Sequence, residues 1–164
     1  FHSQGNISEA AKLYQYFINQ GFKDHRVFSN YGVILKDLGN LKDAELSTRK
    51  AIELNPDNAM TQYNLGIILR DLGNLKDAEL STRKAIKIKP DYAEAHYNLG
   101  TIFMQQGKLK EAEISLNKTI EINPNQNIAY EGLGKIFQNK GELDKSNQSY
   151  KFFLSSKAIT QEKR

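Results

Sequence analysis

Asparagine recurs at residues 30, 64 and 98, each 34 residues from the last. A carboxamide carries an acceptor oxygen and an amino group with donors. One such side chain can therefore take both the N–H and the C=O of a single peptide unit, whatever side chain that residue bears. Three of them at a fixed spacing point to recognition of an extended backbone. The plainer reading is that Asn30, Asn64 and Asn98 each bond to a neighbouring helix, and the sequence leaves both readings open.

Bond-making chemistry finds no comparable set. The three histidines are His2, His25 and His96. None has a second ligand-type residue at a metal spacing, and no HExxH motif occurs. Cysteine is absent, which removes disulfides, thiolate metal sites and thiol nucleophiles. Gly132-Leu133-Gly134 is a bare G-x-G inside an expected helix, so it fails the strand-to-helix context of a dinucleotide site. Asp43 and Glu45, like Asp77 and Glu79, lie near Lys and Arg; pairs at helical spacing contribute a few tenths of a kcal/mol and need no catalytic role. The glycosylation patterns Asn6-Ile7-Ser8, Asn117-Lys118-Thr119 and Asn147-Gln148-Ser149 fall in or beside expected helices. No catalytic residue, metal site or cofactor is expected.

The elements that must position the asparagines come from a repeat. Residues 37–52 and 71–86 are the same sixteen letters, DLGNLKDAELSTRKAI, and Gly107 to Glu113 repeats the pattern more faintly. A period of this size marks a repeat architecture whose function lies on a laterally repeated surface. Full units run 25–58, 59–92, 93–126 and 127–160, preceded by the second half of another unit and a connector in 1–24 and succeeded by a tail, 161–164. They are read as one continuous solenoid domain.

Each unit reads as two helices, at unit positions 1–14 and 17–30. Gly39, Gly73, Gly107 and Gly141 end the first helices. Pro56, Pro90 and Pro124 stop the second, and Asp57 and Asp91 are expected to cap the next first helix. Apolar residues such as Leu65, Ile68, Leu69 and Leu72 keep helical spacing. Gly32, Gly66, Gly100 and Gly134 recur at position 8. Glycine inside a helix costs about 1 kcal/mol against alanine, so its recurrence predicts a close approach by the paired helix.

These positions resemble the tetratricopeptide repeat family. That pattern has Leu-Gly at 7–8, a large residue at 11, Gly at 15, Ala at 20 and 27, and Pro at 32. Tyr97-Asn98-Leu99-Gly100, Phe103, Gly107, Ala112 and Pro124 match it, as do Leu65-Gly66, Leu69, Gly73, Ala78, Ala85 and Pro90. The resemblance covers nearly the whole chain. It implies an all-α fold, a right-handed superhelical solenoid of antiparallel helix pairs, with first helices lining a concave face. Departures cluster at the ends, where Phe17 and Phe153 stand at position 27, preceded by Tyr14 and Tyr150 at position 24, and Ser146 replaces Ala. Ordinary drift with local repacking explains them. The sharper alternative is that Phe152, Phe153 and Leu154 face a capping helix, another domain or another subunit.

In the family, positions 2, 6, 9 and 13 share the concave stripe and position 5 borders it. The partner-binding groove expected here comprises Asn30, Asn64, Asn98, Tyr63, Tyr97, Ile67, Val33, Arg70, Thr101 and Met104. The row is similar to the asparagine ladder of O-linked N-acetylglucosamine transferases. The stripe carries four bases (Arg26, Lys36, Arg70, Lys135) and four acids (Asp37, Asp71, Glu94, Glu131). A near-neutral groove disfavours nucleic acid and acidic peptides. The family's carboxylate clamp is not matched either, with Ser29, Val33 and Glu94 in its places.

The bulk numbers agree. Charged residues are 26% and apolar ones 39% of 164, and no apolar run approaches a membrane span. There are 23 basic and 19 acidic residues, with interleaved signs, as in a solvated helix face. No signal peptide is recognised. The expected location is cytoplasmic, with no membrane or nucleic acid partner. The first residue is Phe1, so the chain reads as a piece of something longer or a processed product. The leading expectation is a non-catalytic protein-protein interaction scaffold binding an extended or helical segment of a protein or peptide. The alternatives are self-assembly as a homo-oligomer through the terminal helices, and a substrate-recruiting arm of a larger enzyme such as a glycosyltransferase.

Overall fold

A computed structural model describes the backbone from Ile7 to Gln161 and the side chains as far as Ser155. The described residues form nine helices: α1 Ile7–Asn19, α2 His25–Asp37, α3 Leu41–Leu54, α4 Ala59–Asp71, α5 Leu75–Ile88, α6 Ala93–Gln105, α7 Leu109–Ile122, α8 Asn127–Asn139 and α9 Leu143–Gln161. From α2 onward they alternate as first and second helices at the expected unit positions. The fold is all-α, a solenoid of paired antiparallel helices. The helices fall into two compact units, one extending to Pro90 and the other beginning at Asp91.

In the first unit, α2 pairs with α3 and α4 with α5, while α1 packs on α2 and α3 on α4. Ile34, Ala44, Ala51, Leu65, Ile68 and Leu69 fill the space between. Gly39 shows why the first helices stop where they do. Its φ is 80°, a region closed to most L side chains. There its N–H reaches Lys36 O at 2.9 Å and the Asn40 N–H reaches Leu35 O at 2.8 Å, satisfying carbonyls that the helix end would leave open.

The N-termini differ from expectation. Asn58, not Asp57, caps α4, its side chain accepting from Thr61 N at 2.9 Å. The residue at the start of α6 is Tyr92, with no side-chain cap bond, so Asp91 does not cap it. Asp24 caps α2, accepting from Arg26 N at 2.8 Å. In each case the residue directly before the first helical turn holds the cap position, and after Pro56 and Pro90 that residue lies one place beyond the Asp.

In the second unit, α6 pairs with α7 and α8 with α9, and α7 and α6 pack on α8. The position-8 glycines mark close approach, as their recurrence predicts. A Cβ on Gly100 would lie 2.9 Å from Leu116 Cδ2, and one on Gly134 2.9 Å from the Tyr150 ring. In the first unit a Cβ on Gly32 would meet the Thr48 hydroxyl and, at 3.2 Å, the Ala44 carbonyl. Thr48, Leu116 and Tyr150 share position 24 of their units, so one register on the second helix sets how near the first can come.

Candidate functional site

Alternation of first and second helices places Asn30 and Val33 on α2, and Met60, Tyr63, Asn64, Ile67 and Arg70 on α4, all within the first unit. Met60 is 58% exposed, and Val33, Tyr63, Asn64, Ile67 and Arg70 are half-buried. Their buried flanks are fixed from beneath. Ser29, which the sequence places on the groove border, is buried and accepts a hydrogen bond from Thr61 Oγ1 at 3.2 Å. Ser47 Oγ donates to Phe28 O at 2.8 Å. These bonds tie α2 to α4 and α3, so the outward side chains stand on an ordered floor.

The three asparagines are not equivalent. Asn30 is exposed, and its Nδ2 donates to Tyr14 Oη on α1 at 3.2 Å. Asn98, in the second unit, is only 1% exposed. Asn64 is half-buried and makes no side-chain hydrogen bond to any described residue. Sequence reasoning singles out Tyr14 as a departure from the repeat without linking it to Asn30. The available signal is the offset: a residue at position 24 of one unit meets position 6 of the next.

The second unit shows the same offset. A Cβ on Gly132 would lie 2.8 Å from Leu116 Cδ1, so this unit has no side chain where the others have Asn. On α6, Tyr97, Thr101 and Met104 are half-buried, and Thr101 Oγ1 donates to Tyr97 O at 3.1 Å within its own helix. At the end of the unit, Phe152 is 53% exposed yet stacks on Tyr130 with centroids 5.5 Å apart. Leu154 is 62% exposed and Phe153 half-buried.

The basic residues on the stripe are paired locally. Lys36 meets Asp37 at 3.0 Å, Arg70 meets Asp71 at 2.8 Å, and Lys135 meets Glu131 at 2.6 Å. Arg26 instead pairs with its neighbouring cap, Asp24, at 2.6 Å. The hydrogen bond from Arg26 pulls the Asp24 carboxyl down to a pKa of about 2, and the bond to Glu131 raises that of Lys135. Each base on the stripe thus carries its own counter-charge, leaving the first unit's face close to neutral.

Chemistry of other kinds has little to work with. Among the described residues no group of three His, Cys, Asp or Glu could hold a metal ion. His25 lies 3.4 Å from the Asn55 amide and has no second ligand among the described residues. Asn117 and Asn147 sit inside α7 and α9 with Thr119 and Ser149 buried, a helical setting unlike the surface loops of glycosylation acceptors; Asn6 lies outside the described residues. No helix among the described residues is long and apolar enough to cross a membrane.

Paired helices at a 34-residue period, closed by glycine and packed through small residues, define a repeat protein of the tetratricopeptide type. Family models described as tetratricopeptide repeat match residues 25–58, 48–79 and 93–126, and one described as TPR repeat matches 66–107. The chain belongs to the tetratricopeptide repeat family. Its fold is similar to a crystal structure of MamA, at 24% identity and a TM-score of 0.88, over 98% of this chain and 94% of that one. It is also similar to YrrB, described as a TPR protein with an unusual peptide-binding site, at 23% identity and a TM-score of 0.74, over 89% and 75% of the two chains. A Thermobaculum terrenum O-GlcNAc transferase shares the fold at 24% identity and a TM-score of 0.66, over 69% of this chain and 22% of that enzyme. A comparison with curated proteins gave no match. At these identities the similarities establish the fold. Tetratricopeptide repeats are in general protein-interaction modules.

Proposed function

We propose that the chain is a non-catalytic interaction scaffold that takes an extended or helical segment of a partner protein along its first helices. In the first unit Asn30 and Asn64 would face the partner's backbone, and Val33, Met60, Tyr63, Ile67 and Arg70 its side chains. In the second unit Tyr97, Thr101 and Met104 are the corresponding candidates, whereas the burial of Asn98 takes it out of the set. The observation that carries the reading is the outer face of α4. It keeps a 58% exposed Met60 beside half-buried Tyr63 and Ile67, where a solvated helix would carry charge. Aromatic and flexible apolar side chains of this kind anchor interfaces. Local pairing of Lys36 and Arg70 favours an uncharged segment over an acidic one.

The test uses a linear peptide selected from a random library on the immobilised chain. Replacing Tyr63 and Ile67 by Ala should weaken that peptide by about tenfold or more. Replacing the exposed second-helix residues Leu46 and Leu80 by Ala should not. The reverse pattern would reject the reading.

Self-assembly is a second reading, favoured by the exposure of Phe152 and Leu154 on α9, with Phe153 beside them. Light scattering over a concentration series decides it: growth in molar mass that Phe152→Ser abolishes supports it, and a constant monomer mass excludes it.

A further inference from the structure

We propose that α1 is a docking site for a helix of a partner protein, one that carries an aromatic residue and, four places later, a glycine. This site is separate from the outer face of α4 and goes beyond the scaffold reading.

α1 takes the place of a second helix, and its apolar side is bare. Leu13 is 49% exposed and Phe22 52%, with Tyr16 and Phe17 exposed beside them. Leu13 and Phe22, with Ala10, Tyr14, Phe17 and Val27, line an open apolar cavity of about 410 Å³. The rings hold one another, Phe17 lying edge-on to Phe22 at 5.3 Å and to Tyr16 at 5.9 Å. On α3 and α5 the same positions are covered. Ala51 and Ala85, which share position 27 with Phe17, are fully buried, and Ser47 and Ser81, which share position 23 with Leu13, are buried too. Both of those helices have a paired first helix, α2 and α4. α2 itself lies against α3 and α4, and no described helix takes the equivalent place against α1 and α2. A contiguous patch of large exposed apolar side chains marks an interaction surface.

The occupant is specified by α9, which repeats the aromatic set. Tyr14, Tyr16 and Phe17 stand at positions 24, 26 and 27, and Tyr150, Phe152 and Phe153 stand at the same three. α3, α5 and α7 have no aromatic residue at any of them. On α9 the set is met by α8. Tyr130 stacks on Phe152 with centroids 5.5 Å apart, and Gly134 leaves room for the Tyr150 ring, which an added Cβ would approach to 2.9 Å. Residues four apart share one helix face, so Tyr16 and Tyr14 fit an aromatic residue and a glycine at that spacing on the arriving helix. The contact is apolar, because the carboxylate that lines the cavity, Asp24, is already held by Arg26 at 2.6 Å. An extended strand would bury unpaired N–H and C=O groups against such a wall, whereas a helix arrives with them bonded.

The probe is a synthetic peptide with the sequence of residues 127–139, which contains Tyr130 and Gly134, titrated into the isotopically labelled full chain. NMR shift changes should concentrate at Leu13, Tyr16, Phe17, Phe22 and Val27. Phe17→Ser should weaken the peptide by about tenfold or more, and Leu13→Ser should weaken it in the same direction. Both residues are exposed, so the spectra of these variants should match the unaltered chain away from α1. Within the peptide, Tyr130→Ala should cost about tenfold. A Gly134→Ala peptide should lose as much through overlap with Tyr14, and Tyr14→Ala in the chain should restore part of that loss. The peptide selected for the first-helix face should bind Phe17→Ser unchanged. Three results would overturn the proposal: no binding, shifts confined to α9 where the peptide displaces α8, or a Gly134→Ala peptide that binds as tightly as its parent. Growth in molar mass of the chain alone that Phe17→Ser abolishes would assign the face to a second copy and overturn it as well.

Discussion

Leu116 Cδ1 lies 2.8 Å from the point that a Cβ on Gly132 would occupy, and Leu116 is fully buried. The loss of Asn at this place in the last unit is therefore explained by the leucine beneath it. Gly132→Asn should destabilise the chain by about 1–3 kcal/mol through overpacking. Leu116→Thr alone should cost about 1–3 kcal/mol by leaving a cavity. Together they should cost less than the sum, with a coupling of at least about 0.5 kcal/mol. Denaturant unfolding of the two single variants and the double variant measures the cycle; simple additivity would show that the two sites do not compete for space.

Gly39 and Gly134 should fail for different reasons. Gly39 has a φ of 80° and nothing within 4 Å of an added Cβ. Gly39→Ala should cost about 1–2 kcal/mol from backbone strain, and Gly39→Asn less, since asparagine tolerates this region. Gly134 faces the Tyr150 ring at 2.9 Å, so Gly134→Ala should cost about 1–3 kcal/mol by sterics and Gly134→Asn more. Opposite orders for Ala and Asn at the two sites would be read directly from unfolding midpoints.

The cap at α2 makes a pH prediction. Asp24 has a carboxyl pKa lowered to about 2, first by the side-chain hydrogen bond from Arg26 and then by the Arg26 backbone N–H. A depressed folded pKa adds stability above the unfolded value near 3.8, and that increment is lost as pH falls through about 2. The Asp24 carboxyl carbon should titrate in NMR with a midpoint near 2, and in Arg26→Ala the midpoint should rise towards 3.8. A midpoint near 3.8 in the unaltered chain would show that the bond does not persist.

The three asparagine amides should differ in solvent contact. A soluble paramagnetic probe should broaden the side-chain NH2 signals of Asn64 and leave those of Asn98, which is 1% exposed, largely unaffected. Tyr14→Phe should shift the Asn30 signals and leave those of Asn64 and Asn98 in place, because it is the Asn30 amide that donates to the Tyr14 hydroxyl. Equal broadening of Asn64 and Asn98 would contradict the difference in their burial.

Helix boundaries are legible in the sequence because glycine and proline act locally. Gly39 and Pro56 need no distant partner to end a helix, and α2 and α3 stop within two residues of them. The capping residue is displaced by one place from its expected position: an Asp after proline is a good cap by composition, yet the chain turns one residue later, at Asn58. That positions 2, 6, 9 and 13 share one helix face is legible from period alone, and the balance of charge on it from counting Lys36, Asp37, Arg70 and Asp71. The different states of Asn30, Asn64 and Asn98 are not legible; that of Asn30 depends on a side chain far upstream, on another helix. Tyr14 sets the state of Asn30 by hydrogen bonding, and Leu116 crowds Gly132 by bulk, which no periodicity within a unit records.

The most direct measurement is NMR mapping of the library-selected peptide on the isotopically labelled chain. Shift changes should concentrate on α2 and α4, at Asn30, Val33, Tyr63, Asn64, Ile67 and Arg70, with intermolecular contacts from the peptide backbone to the Asn64 amide. Changes confined to the second-helix residues Leu46 and Leu80, or to Phe152 and Leu154 on α9, would place recognition elsewhere and contradict a partner site on the first helices.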